Sequence, residues 1–363
     1  MSQAVGASAL GEHNEFVGYC CPGTEVPLLE DGRGNLVARN SDLSYPVTSG
    51  IPNFCKHQAA ESPEDALRLE VLNRSATEHG WRSAVGNHWP EVLNYVTDEI
   101  RLRLIDILPL DASQCVLEIG CGLGQFTIPI ANRVRHVSAI EVVLGQALFT
   151  RTRCAQNGIS NVDVVCGGDD LRLPYSCGRF DGVVINLVFE WCGNRQDTSD
   201  FESAQIEYLR EIGRVLKPNG FIFIATKNRY ALQYLLGGRD EHTGFRFGNA
   251  LPRWLMHWLL SRRQKKRVPA GMLHSFQWWI RQLKAAGFTA IEPLWAVPEM
   301  RFPDQYVPLA PNSVRMARRS GSFRQGDTRR TSLLMGLIPA RFVRHLTRGH
   351  CFVARKVGTI LPK

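Results

Sequence analysis

A buried strand that runs directly into a glycine-rich turn constrains the fold of this chain more than any other feature. Residues 115–119 form a short, mostly apolar stretch, and the turn Gly120-Cys121-Gly122-Leu123-Gly124-Gln125 follows at once. Glycine lets a backbone approach a ligand closely, and a helix that begins after such a turn presents unpaired N–H groups. The segment therefore predicts a ligand at the carboxyl end of the strand.

Apolar strands and helices alternate on both sides of this turn. Strands are predicted at 115–119, 136–140, 162–166, 181–186 and 221–225, with closing strands at 288–294 and 351–356. Helices are predicted at 91–108, 126–133, 144–157, 201–216 and 276–286. Continuous apolar strands that alternate with helices favour a parallel sheet covered on both faces, which is an α/β fold.

The 363 residues are too many for one average domain and are divided here into four parts. Residues 1–55 are rich in glycine and proline and predict a small β-rich module. Residues 56–90 are assigned to a helical linker. A ligand-binding core is expected at 91–297, interrupted by an insert at 228–274. Residues 298–363 are predicted to hold a basic, irregular insert and the last strand of the sheet.

Two acidic residues next to the turn make its pattern more specific. Glu118 stands just before the first glycine, and Glu141 ends the next strand, where a ribose diol would lie. The segment 118–124 resembles the class I S-adenosylmethionine-dependent methyltransferases, whose pattern is a hydrophobic residue followed by (Glu/Asp)-x-Gly-x-Gly-x-Gly. The dinucleotide-binding fingerprint has a different spacing. The resemblance implies a Rossmann-like sheet of seven strands and S-adenosylmethionine as the cofactor.

Later segments carry the same resemblance. Gly168-Asp169-Asp170-Leu171-Arg172-Leu173-Pro174-Tyr175 is similar to the family's Gly-Asp-Ala-x-x-Leu-Pro-Phe, and 180–184 and 209–220 match the segments around its fourth and fifth strands. Asn186 ends the fourth strand, where methyl donor and acceptor meet. The resemblance predicts the following cofactor-binding residues: Glu118, Gly120, Cys121, Gly122, Gly124, Gln125, Glu141, Val142, Asp169, Asp170 and Asn186.

The expected ligand explains why acidic residues are needed. The donor is a sulfonium cation with an amino-acid tail. Glu118 would offset the charge of its ammonium group, directly or by ordering water and backbone, Glu141 would accept from both ribose hydroxyls, and Asp169 would accept from the adenine amino group. The alternative is that each is a solvated acid at a strand end.

The N-terminal module resembles the Trm112-like zinc-ribbon family. Cys21-Pro22-Gly23-Thr24 and the segment Tyr45-Pro46-Val47-Thr48-Ser49-Gly50-Ile51-Pro52 carry the likeness. Thr24, Ala38 and Ser41 stand where three of the family's four cysteines occur, and a tetrahedral zinc site needs four N or S ligands. We therefore expect no metal in this module.

The acceptor site is harder to identify from sequence. Residues 188–191, 226–230 and 235–244 resemble methyltransferases encoded among bacterial cell-surface polysaccharide genes, which implies methylation of a hydroxyl or amine on a sugar, a glycan precursor or another small polar metabolite. An O- or N-nucleophile often needs a base. His242, beside Asp240, is the predicted base, with Glu190 as a second candidate; a structural role for the loop histidine is the alternative.

Basic residues are concentrated near the C-terminus. The net charge is +9, and residues 305–363 hold 12 Lys and Arg but one acidic residue. A second basic run, 262–267, follows an apolar helix predicted at 251–260. Basic clusters favour anionic partners, and we expect that 251–267 and the basic C-terminus contact an anionic membrane surface in preference to nucleic acid. A solvated, arginine-rich face is the alternative for the basic residues. A lid over the active site is the alternative role for this helix.

Composition also limits location and function class. The ten cysteines lack the spacing of a disulfide framework, and 1–10 lack the pattern of a secretory signal. We expect a cytoplasmic protein that could touch the inner face of the membrane. The basic C-terminus leaves methylation of RNA open as an alternative, and a non-catalytic protein that binds S-adenosylmethionine and a partner is a further one.

Overall fold

The computed structural model describes residues 18–39, 42–56, 62–193, 200–240, 242, 244–264, 271–320 and 329–358. Its strands are β1 (Leu28–Glu30), β2 (Leu36–Ala38), β3 (Ser44–Tyr45), β4 (Val47–Thr48), β5 (Ile51–Pro52), β6 (Cys115–Ile119), β7 (His136–Glu141), β8 (Val162–Cys166), β9 (Phe180–Asn186), β10 (Leu216–Lys227), β11 (Phe288–Val297), β12 (Gln305–Pro308) and β13 (Gly349–Lys356). Its α-helices are α1 (Pro63–His79), α2 (Trp81–His88), α3 (Pro90–Thr97), α4 (Arg103–Ile107), α5 (Thr127–Ala131), α6 (Leu144–Gln156), α7 (Phe201–Val215), α8 (Leu232–Leu235), α9 (Arg253–Gln264), α10 (Phe276–Ala285), α11 (Pro311–Arg319), α12 (Arg329–Leu337) and α13 (Ala340–Leu346).

Eight strands form the central sheet, in the order β8-β7-β6-β9-β10-β13-β11-β12. Strands β6 to β10 pair in parallel, whereas β13 runs antiparallel to both β10 and β11. The strand order therefore reverses next to β6, with β7 and β8 on one side and β9 and β10 on the other. Because these strands are parallel, their carboxyl ends meet at one edge, where open α/β sheets bind ligands. The predicted Rossmann-like α/β class is confirmed, and β12 adds an eighth strand that pairs with the edge of β11.

The sheet is buried on both faces, as its apolar strands predict. All five residues of β6 are buried, and so are Val183 to Ile185 in β9 and Phe221 to Ala225 in β10. Helix α7 covers one face with an apolar stripe that includes Tyr208, Leu209 and Ile212. Removal of such side chains from water is the main favourable term in folding.

Two predicted segments differ from the structure in where their helices and strands lie. The helix predicted at 91–108 is interrupted after α3, because the Asp98 carboxylate accepts a hydrogen bond from the Ile100 N–H at 3.0 Å and caps a 3-10 turn, Glu99–Leu102. The predicted irregular insert after residue 298 contains β12 and helices α11 to α13. Buried Val314 and Val343 hold α11 and α13 against the main core.

The N-terminal strands pack directly on the large sheet. The Phe54 N–H donates to the Cys166 carbonyl at 2.8 Å, and the Tyr19 hydroxyl donates to Asp163 at 2.9 Å. Ile51 is fully buried in the same cluster as residues of β6 and β7. The described part of this segment therefore shares a hydrophobic core with the sheet.

Cys21 in the N-terminal segment lies beside an aromatic hydroxyl. Its Sγ is 3.2 Å from the Tyr45 hydroxyl, while Ser41 lies outside the described residues. Within the described ranges no three His, Cys, Asp or Glu side chains are grouped as metal ligands would be. Zinc-free folding of this module stays a prediction. Separately, no described helix has both the length and the apolar composition needed to cross a bilayer.

Candidate functional site

The glycine-rich turn adopts a backbone conformation that suits glycine at three positions. Gly120, Gly122 and Gly124 have φ values of 78°, 55° and 76°, a region that other residues rarely adopt. A Cβ atom built on Gly120 would overlap the Val188 side chain. Because Val188 follows β9, this glycine lets the ends of β6 and β9 approach each other closely.

A cavity of about 810 Å³ opens beside this turn, at the carboxyl ends of β6, β7, β8 and β9. It falls in the range of small-molecule sites, which are mostly apolar with a few convergent polar groups. Eight of the eleven predicted cofactor-binding residues line it: Gly120, Cys121, Gly122, Gln125, Glu141, Val142, Asp169 and Asn186.

Glu141 is held at the cavity wall by backbone groups. Its Oε2 accepts from the Gly122 N–H at 2.9 Å, and its Oε1 accepts from the N–H groups of Val142 and Val143 at 2.9 and 3.1 Å. The carboxylate thereby ties the turn to the end of β7. Carboxylate oxygens have further lone pairs, so Glu141 can also accept from ligand hydroxyls.

Asp169 and Asp170 have different surroundings although they are adjacent. Asp169 lines the cavity, is 8% exposed and accepts from the Lys56 N–H at 2.9 Å. Asp170 forms an ion pair with the Lys56 ammonium group and accepts from the Leu171 N–H at 2.6 Å. Only Asp169 therefore occupies the predicted cofactor position, and Lys56 is a neighbour that sequence reasoning missed.

Glu118 lies behind the turn instead of on the cavity wall. It is 3% exposed, and its carboxyl accepts from the Thr127 hydroxyl at 2.6 Å, which connects β6 to α5. Burial raises the pKa of Glu118 to about 7. Gly124 also does not line the cavity, since it packs against Thr150. Glu118 can thus influence a bound cation through its charge state, without direct contact.

The cavity is also lined by the helical segment before the sheet. Asp65 of α1, Trp89, and Val92, Tyr95 and Val96 of α3 all contribute. Sequence reasoning assigned 56–90, which holds Asp65 and Trp89, to a helical linker. It predicted a helix over 91–108 but did not place Val92, Tyr95 and Val96 at the site. A signal was present, because Trp89-Pro90 begins a helix whose apolar stripe includes Tyr95.

The predicted catalytic residues form a buried group next to the cavity. His242 Nδ1 is 3.0 Å from Asp240 Oδ1, and the His242 ring lies 4.6 Å from the Trp191 ring. A Cβ atom on Gly271 would overlap both the His242 ring and the Glu190 carbonyl. Glu190 and Gly271, which are 81 positions apart in sequence, are therefore brought together with His242, although residues 241 and 243 lie outside the described residues.

Neither Glu190 nor His242 lines the cavity, whereas Trp191 does. Glu190 is 1% exposed, and its Oε2 accepts from the Thr226 hydroxyl at 3.2 Å. Burial raises the pKa of Glu190. Within the described part of the chain, Glu190 Oε1 and His242 Nε2 have no hydrogen-bond partner. A buried polar atom in this state can receive or hold a proton for a neighbouring group.

Leu187 marks the point where β9 ends at the cavity. Its φ is 58°, which is strained for a residue with a side chain, and its N–H donates to the Ala225 carbonyl at 2.8 Å. Asn186 and Val188, on either side, also line the cavity. The end of β9 therefore turns sharply to present three consecutive residues to a ligand.

Part of the chain matches a known protein family. Residues 117–224 match a family model described as a methyltransferase domain, and the match includes Glu118, the turn, Glu141, Asp169 and Asn186. Residues 117–224 are therefore similar to a methyltransferase domain, and S-adenosylmethionine is the cofactor that this similarity indicates. The glycine-rich turn, Glu141 and Asp169 fit that group, since they combine a close backbone approach with acceptors for its hydroxyl and amino groups.

Individual relatives differ in what they act on. The chain is 30% identical over 182 residues to malonyl-[acyl-carrier protein] O-methyltransferase of Methylovorus, covering 48% of this chain and 57% of the relative. It is 35% identical over 127 residues to a probable ribosomal RNA small subunit methyltransferase A of Methanothermobacter thermautotrophicus, covering 33% and 44%. The chain thus spans about half the length of these curated relatives.

One solved structure with a similar fold is Haemonchus contortus phosphoethanolamine N-methyltransferase 1 in complex with phosphoethanolamine and S-adenosylhomocysteine. Its identity is 14% and its TM-score 0.44, with 85% of this chain and 53% of that chain covered.

Proposed function

We propose that this protein is an S-adenosylmethionine-dependent methyltransferase that acts on a hydroxyl or amine of a sugar, a glycan precursor or another small polar metabolite. The observation that carries the proposal is the cavity, where the glycine-rich turn, Glu141, Asp169 and Asn186 share one wall with Trp191. Trp191 is 41% exposed and offers an aromatic face to an acceptor.

S-adenosylmethionine supplies an electrophilic methyl group when bound. The chain's own residues would bind the donor, orient the acceptor and accept its proton. Glu141 and Asp169 provide carboxylates for the nucleoside, and the walls from α3 and β9 exclude water from the reacting groups. Holding two reactants in the right geometry is the main contribution that such a site can make.

We propose His242 as the base. An ionised Asp240 requires Nδ1–H as the donor in their 3.0 Å contact, which leaves Nε2 to accept a proton. Glu190 is the second candidate. Replacement of His242 by Gln should lower kcat by roughly 100-fold or more, with little change in the affinity for S-adenosylhomocysteine. Equal kcat values for the wild type and the His242→Gln variant would show that His242 is not the base.

The acceptor class can be tested with labelled cofactor. We would incubate the full-length protein with S-adenosylmethionine labelled in its methyl group and fractionated cell extract. We expect label in the glycan or small-metabolite fraction. Label in the protein or lipid fraction alone would contradict the proposed acceptor class.

Methylation of RNA is the second candidate. The basic C-terminus favours it, and one curated relative is named as acting on ribosomal RNA. Label in RNA, with binding weakened by salt, would support it. Truncation of 305–363 is an unsuitable test, because it would remove β13 from the middle of the sheet. A non-catalytic role would be supported by cofactor binding without label in any fraction.

A further inference from the structure

Exposed apolar side chains are concentrated on or next to four elements that follow β10 in sequence: α8, the 3-10 turn Gly248–Ala250, α9 and α12. Among the described residues, 17 large apolar side chains are exposed, and eight of them belong to this set. We call them the apolar face: Leu235, Leu236, Phe247, Trp254, Trp258, Leu333, Leu334 and Leu337. Single exposed apolar residues are common, but a group of this kind usually marks an interaction site.

Contacts connect the elements that carry the apolar face. Helix α12 contacts α8, and the 3-10 turn Gly248–Ala250 also contacts α8. The Phe247 ring lies close to Gly237, and α9 begins three residues after the 3-10 turn. The elements that carry the eight side chains are therefore neighbours, in space or along the chain.

Helix α9 turns its tryptophans away from the protein. Met256 and Leu260 are buried, whereas Trp254 is 72% exposed and Trp258 47% exposed. Arg253, the first residue of α9, forms an ion pair with Glu202 and a 3.0 Å contact with His274 Nδ1. These contacts hold the beginning of the helix in place. A lid packed over the active site would bury the tryptophans, and no residue of α9 lines the 810 Å³ cavity.

The segment that carries most of the apolar face is rich in basic residues. Residues 228–274 contain nine Lys and Arg and two acidic residues, and Asp240, one of the two, is buried against His242. Arg239 and Arg246 pair across a β-bridge and are both exposed. The Arg262 guanidinium lies 4.5 Å from the Trp258 ring centroid. Three exposed arginines, Arg239, Arg246 and Arg262, therefore lie close to residues of the apolar face in sequence or in space.

We propose that this surface docks the protein on an anionic phospholipid bilayer. Tryptophan with leucine can enter the boundary between headgroups and acyl chains, while arginine meets anionic headgroups. A nucleic acid would account for the charge and not for the exposed leucines. A second copy of this chain would bring like charges together. The proposal concerns where the protein works and does not depend on the methyl acceptor.

Vesicle flotation tests the proposal. We would compare full-length protein with phosphatidylcholine vesicles and with vesicles containing phosphatidylglycerol. We expect binding only to the anionic vesicles and weaker binding at high salt. The double variant Trp254→Ala/Trp258→Ala should bind the anionic vesicles at least about tenfold more weakly than the wild type, because two side chains no longer enter the interface.

A matched control is Leu67→Ala, since Leu67 is 61% exposed on α1, outside the apolar face; it should bind vesicles like the wild type. Affinity for S-adenosylhomocysteine should be the same in all three proteins, which shows that the variants are folded. Equal vesicle binding by the double variant and the wild type would overturn the proposal. So would a wild-type dimer that the double variant abolishes, or binding to RNA in preference to vesicles.

Discussion

Two adjacent carboxylates show how strongly a residue's role depends on its neighbours. Asp169 faces the cavity, and Asp170 pairs with the exposed Lys56 ammonium group. Asp169→Ala should weaken binding of S-adenosylhomocysteine by roughly 10- to 100-fold, because a hydrogen bond to a charged group is lost. Asp170→Ala should change it less than about threefold. Calorimetric titration measures both, and similar losses in the two variants would contradict the assignment.

Glu118 predicts a pH dependence of stability. Burial raises its pKa in the folded protein to about 7, above the ordinary value of 4.5. The folded state therefore holds this proton more tightly than the unfolded state, so the stabilisation is complete below pH 4.5 and is lost as the pH rises through 7. Relative to Glu118→Gln, the unfolding free energy of the wild type should fall by about 3 kcal/mol between pH 4.5 and 8.

Urea unfolding of both proteins across this pH range provides the measurement. The Glu118→Gln variant is the control for all other titrating groups in the wild type, because the two proteins differ only at residue 118. Parallel pH profiles for the two proteins would show that Glu118 has an ordinary pKa.

At the scale of elements, α7 is docked to the segment after β8 by a buried carboxylate. Glu211 accepts from Arg214 and from the Leu173 N–H at 2.8 Å. Burial alone would raise the pKa of Glu211, but these donors lower it below the ordinary value. Arg172 joins α7 to the same segment through Glu207, whose side chain is 45% exposed.

Glu211 and Glu207 allow a buried and an exposed carboxylate of the same helix to be compared. Glu211→Ala should destabilise the protein by about 3 kcal/mol, because it removes the buried carboxylate that Arg214 contacts and leaves the Leu173 N–H without its acceptor. Glu207→Ala should cost less than about 1 kcal/mol, since an exposed ion pair contributes little. Chemical denaturation measures both, and a small effect at Glu211 would mean that α7 is held by its apolar stripe alone.

At the scale of the whole molecule, the N-terminal strands and the sheet share one core. Ile51 is fully buried among residues of β6 and β7, whereas Leu29 in the same segment is 45% exposed. Ile51→Ala should lower stability by about 3 kcal/mol, and Leu29→Ala by less than about 0.5 kcal/mol. In differential scanning calorimetry the lower stability should appear as a shift of one common transition. A separate early transition would indicate a module that unfolds alone.

Local sequence was sufficient for the methyltransferase core. Strands β6 to β10 have continuous apolar runs, so the fold class could be predicted. The spacing of the glycines in the turn occurs in few other structures, so the cofactor could be predicted as well. The insert after residue 298 was less predictable. Its helices are short and rich in arginine, and their buried residues, such as Val314 and Val343, become recognisable only against the core they contact.

The sequence by itself predicted an S-adenosylmethionine site at the end of β6, because the turn and Glu141 lie within some twenty consecutive residues. The tertiary structure decided which neighbours complete that site. Asp169 meets Lys56, Trp191 meets His242, and α3 covers the cavity, through contacts between residues as much as 113 positions apart. Such contacts depend on how strands and helices pack, and no local pattern specifies them.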